Sequence, residues 1–142
     1  GAKKENPFVS EKDLWENYKK AMDIASSDAW GVNLCLGCCS EMEGGAATVM
    51  ELVRYFGSRG KIFCVHFRDV QGTVPRFKEC FLGEGNFNPA EVMSELIRVG
   101  YDGIIIDDHV PQIVNDTEWG HRGRAYEVGY LQGIMNMAEY LA

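Results

Sequence analysis

The 142-residue chain contains no apolar run approaching the ~20 residues that a membrane span needs. Its opening residues, Gly1 to Pro7, are polar and carry no signal-peptide pattern. Positive charge is in deficit, with 14 Lys and Arg against 21 Asp and Glu. That balance excludes a nucleic acid or an anionic membrane held by bulk charge, but not a small anion bound by one or two arginines. No Gly-x-Ser-x-Gly nucleophile motif occurs. The Gly44-Gly45 and Gly83-Glu84-Gly85 clusters read as turns rather than phosphate loops. No Asn-Gly pair marks a hairpin between strands. Histidine is scarce, only His66, His109 and His121. Five cysteines, an odd number without a leader, read as free thiols in a reducing, cytoplasmic setting, with one of them a candidate metal ligand.

A 46% hydrophobic content is enough for the core of one domain. Ser10-Glu11-Lys12-Asp13 fits a capping box, and Leu14, Tyr18, Ala21, Met22 and Ala25 follow at helical spacing. A strand is expected over Trp30 to Leu36, then a loop over Gly37 to Gly45. A second helix carries Val49, Leu52, Val53 and Phe56 and stops at Gly57. Lys61 to Arg68 is a second strand, followed by a long loop from Val70 to Phe87. Asn88-Pro89-Ala90-Glu91 opens a third helix in the order cap, proline, acid, and Gly100 ends it. Gly103 to Asp107 is a third strand, whose adjacent isoleucines suggest burial on both faces. The last helix spans Arg122 to Leu141. The order α-β-α-β-α-β-α predicts parallel strands with helical crossovers. Two solutions compete: an unusually small open sheet, or part of a (β/α)8 barrel, which needs ~250 residues.

Each expected strand runs into a metal-binding residue type: Cys35, His66, then Asp108-His109. Loops converge at the carboxyl ends of parallel strands, so these side chains would meet there. Thiolate, imidazole and carboxylate together suit Mn²⁺, Fe²⁺ or Zn²⁺. Each residue also has a plainer reading. Cys35 fits a small buried hydrophobe, His66 a hydrogen-bonded core histidine, and Asp108-His109 a turn with a helix cap. Arg68, two residues beyond His66, either clamps a carboxylate or makes a surface ion pair. Arg122 and Arg124 start the last helix. Tyr126, one turn in, either donates a proton to a substrate oxygen or simply packs. Cys35, Cys38 and Cys39 cluster, but a structural zinc site lacks a fourth ligand, because Cys64 is assigned mid-strand and pointing away from His66. A thiol-redox role for the cluster has equally little support.

At these residues the chain resembles the C-terminal part of the mannonate dehydratase family. The matching stretches are Lys61 to Val70, Phe81 to Asn88, Asp108 to Gln112 and Gly123 to Tyr130, with Asn33 to Met42 similar to the family's cysteine-bearing strand and loop. The resemblance covers about Ser10 to Leu141. It implies the last three strands and helices of a (β/α)8 TIM barrel like that of xylose isomerase, incomplete as given. Residues 1–142 would form one partial domain, and residues 1–9 a flexible N-terminal segment. It implies Cys35, His66 and Asp108 as ligands of a divalent metal, Mn²⁺ first and Fe²⁺ or Mg²⁺ next. His109 and Tyr126 fall on catalytic positions, and Arg68 and Arg124 on substrate-binding ones. The implied reaction, a step of hexuronate breakdown, dehydrates D-mannonate to 2-keto-3-deoxy-D-gluconate. The family adds a metal-binding histidine from an earlier strand, which this chain lacks.

The expectation is therefore a metal-dependent hydro-lyase fragment, inactive alone. Its partners would be a small sugar acid and either the missing N-terminal barrel portion or further copies of itself. Two alternatives stand beside it. One is a non-catalytic, self-associating module derived from the barrel. The other is a related sugar isomerase or epimerase.

Overall fold

The computed structural model describes residues 11–141, with side chains from Trp15 onward. Ser10 and the side chains of the expected capping box lie outside the described residues, as do residues 1–9. Five helices and five strands follow in the order α1 (Glu11–Asp23), β1 (Val32–Cys35), α2 (Leu36–Ser40), α3 (Ala46–Gly57), β2 (Ile62–His66), β3 (Asp69–Thr73), β4 (Arg76–Cys80), α4 (Pro89–Arg98), β5 (Ile104–Ile106), α5 (His121–Leu141).

Strands β1, β2 and β5 form a parallel sheet with β2 in the centre. Its residues place a buried face against the helices. Val32, Leu34, Ile62 and Val65 pack with Val49, Leu52, Val53 and Phe56 of α3, Val92, Met93 and Leu96 of α4, and Leu131 of α5. Each fully buried Leu or Phe contributes about 2 kcal/mol. A register shift makes this face continuous: Val32 pairs with Ile62 but Asn33 with Cys64, so Phe63 is an extra residue. Helix α1 joins through aromatic edges, Trp15 on Tyr55 and Tyr18 on Phe56, each at 5.2 Å.

The other sheet face is open among the described residues. Ile104 is 66% and Ile106 39% exposed, so the expectation of strands buried on both faces fails here. The isoleucine run has a packing partner on one side only.

Two further differences concern the loops. The segment assigned to a loop over Val70 to Phe87 contains the antiparallel hairpin β3–β4, turned at Val74-Pro75. The absence of an Asn-Gly pair was no guide, because proline's fixed φ makes this turn instead. The loop assigned to Gly37 to Gly45 contains α2, capped by the Cys35 sulfur rather than by an oxygen side chain. The third helix starts as expected, with Asn88 Oδ1 accepting from the Ala90 amide at 3.0 Å.

A buried polar knot ties the hairpin to the sheet. Asp69 is fully buried. It accepts from Ser40 Oγ (3.0 Å), the Val70 amide (2.7 Å) and the Phe87 amide (3.1 Å). Asn86 adds bonds from its amide to the Ser40 and Gly72 carbonyls. Gly85 has no side chain because a Cβ there would fall 2.2 Å from Asp69 Oδ2.

Candidate metal centre

Sheet register builds the site. Cys35 ends β1 opposite His66, which ends β2 opposite Ile106 of β5. Asp108 lies two residues past β5, in a left-handed conformation with φ 58°. That conformation costs a non-glycine residue of order 1 kcal/mol, although aspartate tolerates it better than most, and it turns the carboxylate inward. One ligand atom each from Cys35, His66 and Asp108 lie within 4.8 Å of one another. Cys35 Sγ is 3.7 Å from Asp108 Oδ2, and His66 Nδ1 is 3.3 Å from Asp108 Oδ1.

The donor set fits a divalent cation. A soft sulfur, a borderline nitrogen and a hard oxygen converge, each needing its deprotonated form to coordinate. Asn33, on the same sheet face, places its amide 2.8 Å from His66 Nε2. Amide oxygen and nitrogen are interchangeable by rotation, so Asn33 can accept from Nε2–H and leave Nδ1 a free lone pair toward Asp108. This is the kind of outer partner that orients ligating histidines.

Arg68 lies beneath the cluster, 5% exposed, among three carboxylates. Its Nη1 donates to both Glu79 carboxylate oxygens (2.9 and 3.1 Å), and its Nη2 approaches Glu41 Oε2 at 3.5 Å. Its Nε comes within 2.9 Å of Asp108 Oδ2 without hydrogen-bond alignment. It also donates to Cys38 Sγ at 3.4 Å. The hydrogen bond with Cys35 and the Arg68 guanidinium hold the Cys38 thiol down to about 7, while the same bond and burial push Cys35 up. His109 is exposed and reaches Glu79 Oε1 at 3.3 Å. Arg124 donates to Asp107 Oδ2 (3.0 Å) and to the Asp108 carbonyl (2.9 Å), bracing the strained turn. Asp116 caps α5 through the Arg122 and Gly123 amides, which fixes where Arg124 begins.

The structure thus brings together Cys35, His66, Arg68, Asp108, His109 and Arg124. Tyr126 stands apart from them. Its half-exposed ring packs 5.1 Å from Phe81, and among the described residues its hydroxyl makes no hydrogen bond to the cluster. Cys64 does not point away from His66: two residues apart on one strand, they share the open face. Glu41, Glu79 and Asn33 escaped sequence reasoning. Asn33 was within reach, since it alternates with Cys35 on the same strand face.

Fold and cluster define a parallel α/β protein with a Cys/His/Asp constellation that could hold a metal ion at the carboxyl ends of its strands. The family model described as D-mannonate dehydratase (UxuA) matches residues 10–141, and the chain belongs to that family. It is 30% identical over 129 residues to mannonate dehydratase 2 of Halalkalibacterium halodurans, covering 83% of this chain and 35% of that protein. The mannonate dehydratase of Enterococcus faecalis is 31% identical, covering 82% of this chain and 33% of the relative. The crystal structure of a Streptococcus suis mannonate dehydratase superposes with a TM-score of 0.82 at 19% identity, covering 96% of this chain and 39% of that one. The chain therefore spans about a third of the length of the relatives it matches.

Proposed function

We propose that this chain carries the metal-binding end of a mannonate dehydratase, built from the last three strands and helices of a (β/α)8 barrel and working in the cytoplasm. Cys35, His66 and Asp108 hold the ion, Mn²⁺ first and Fe²⁺ or Mg²⁺ next. The observation that carries this reading is the convergence of their ligand atoms within 4.8 Å at three neighbouring strand ends. When bound, a divalent ion supplies Lewis-acid stabilisation of the negative charge that builds on the substrate as its α-proton leaves.

The chain's own residues do the rest. His109 and Tyr126 divide the proton work, one removing the C2 proton of D-mannonate and one protonating the departing C3 hydroxyl. The product is 2-keto-3-deoxy-D-gluconate. Arg68 and Arg124 bind the substrate carboxylate and hydroxyls. Since Glu79 holds Arg68 on both oxygens, a substrate carboxylate at Arg68 has to displace Glu79, which then turns toward His109. The open sheet face does not enclose a substrate, so this chain by itself binds metal without turnover.

Titrating Mn²⁺ into the chain tests the site. Stoichiometric binding is expected, weakened at least ~tenfold by Cys35→Ala or His66→Ala. Unchanged binding in those variants removes them from the site. D-mannonate with Mn²⁺ should yield no 2-keto acid, and chelator-sensitive turnover would refute the claim of inactivity alone. Exposed Ile104 and Ile106 favour a second reading, a self-associating module that binds no metal. It predicts oligomers that form equally well in chelator.

A further inference from the structure

Cys35 has a neighbour that the proposed chemistry leaves unused. Its sulfur accepts from the Cys38 amide at 3.5 Å, so it lies over the first turn of α2. Cys38 is exposed, and Cys35 is half-buried behind it. Gly37 lets this pair close up. A Cβ there would fall 2.6 Å from Arg68 Cγ, so only glycine allows the arginine across the turn and onto the Cys38 sulfur. The other thiols are poorly placed to compete. Cys39 and Cys80 are buried, and Cys64 sits mid-strand opposite Asn33 and Ile104.

We propose that Cys35 and Cys38 are a peroxide-oxidised dithiol pair, and that their disulfide switches off the metal centre by taking one of its ligands. The second half rests on Cys35 being a ligand, as proposed above. The oxidant is a hydroperoxide such as hydrogen peroxide. The Cys38 sulfur attacks one peroxide oxygen, the O–O bond breaks, and a sulfenic acid forms as one water leaves. The Cys35 sulfur then attacks the Cys38 sulfur. The S–S bond forms, the S–O bond breaks, and a second water leaves. Two thiols lose two electrons, and the peroxide is reduced to two waters. A bridged sulfur no longer offers a thiolate, so Cys35 is withdrawn from His66 and Asp108.

The test treats the reduced chain with hydrogen peroxide, blocks free thiols in denaturant and maps the products by mass. Two of the five cysteines should escape blocking, in a peptide bridged between Cys35 and Cys38 and reopened by dithiothreitol. The oxidised chain should lose Mn²⁺ binding in titration, whereas Cys38→Ser should keep it through the same treatment. Five blocked thiols, a bridge to another cysteine, or a bridged chain that still binds Mn²⁺ would overturn the proposal. A bridge in a chain whose reduced form binds no Mn²⁺ supports the dithiol pair and sinks the ligand reading instead.

Discussion

Asp69 and Asp108 both sit just past the core of the sheet, yet their carboxylates live in opposite company. Asp69 is surrounded by donors: a hydroxyl and two backbone amides, all within 3.1 Å. Asp108 has the Arg68 guanidinium at 2.9 Å, unaligned for a hydrogen bond, and otherwise faces a thiol at 3.7 Å and imidazoles at 3.3 and 3.9 Å, groups that offer lone pairs as readily as protons. Asp69 occupies an ordinary backbone conformation, whereas Asp108 is strained at φ 58°. A carboxylate whose lone pairs are filled by nearby N–H and O–H groups holds the fold together. One set among other potential ligands, in a costly conformation, is placed for a cation.

The contrast breaks most visibly at Asp69. Asp69→Ala takes the acceptor from the Val70 and Phe87 amides and leaves the Ser40 hydroxyl only the Gly37 carbonyl, and should destabilise the chain by about 3 kcal/mol. Urea denaturation measures it. A loss under about 0.5 kcal/mol would mean that the knot around β3 is not structural.

Glu127 sharpens the comparison from the other side. It is as buried as Asp69, but among the described residues neither oxygen has an aligned hydrogen-bond partner. Burial, then the charge of Asp107, with Glu79 adding, push its carboxyl up from 4.5 to about 8, while the Leu82 amide and Arg124 pull the other way. The folded chain therefore binds this proton more tightly than the unfolded chain. The stability this confers is complete below about pH 4.5 and is lost as pH rises through about 8. Glu127→Gln keeps the neutral shape. It should match the parent at low pH and exceed it by about 2 kcal/mol or more above pH 8, up to the roughly 5 kcal/mol that linkage gives without solvent screening. Parallel stability curves for the two proteins between pH 5 and pH 8 would show that Glu127 is ionised in the fold.

Strand ends were the legible part of this molecule. A sulfur, an imidazole and a carboxylate each following an apolar run were enough to bring Cys35, His66 and Asp108 together, because parallel sheet geometry leaves such residues little choice. The apolar spacing of α3 and α4 and the Asn88-Pro89 start of α4 were equally plain, and α5 was expected over Arg122 to Leu141 without a cap. What stayed hidden was carried by weak local signals. The β3–β4 hairpin, which delivers Glu79 to Arg68 and His109, turns on proline rather than on a glycine pair. Helix α2, which brings Cys38 back beneath Cys35, is five residues long with a sulfur cap. Arg68 was left open between a carboxylate clamp and a surface ion pair, because Glu79 and Glu41, which hold it, lie on those two unseen elements or beside them. Periodicity is silent about segments this short.

The smallest expected change in stability belongs to Asp108 and decides the comparison. Asp108→Asn keeps the shape of the side chain and a residue type that tolerates positive φ, so the backbone turn braced by Arg124 should survive. What disappears is the negative charge beside Cys35 and His66. Arg68 retains Glu79 and Glu41 as counterions, so no buried charge is stranded. Unfolding free energy should therefore move by less than about 1 kcal/mol. Mn²⁺ affinity should fall at least ~tenfold, because an amide oxygen is a far poorer ligand than a carboxylate. Asp69→Asn provides the mirror image, with stability reduced and Mn²⁺ affinity retained in whatever fraction stays folded. If both substitutions instead lowered stability alike and left Mn²⁺ binding unchanged, the lone-pair company around Asp108 would be an accident of packing, and the two carboxylates would be doing the same job.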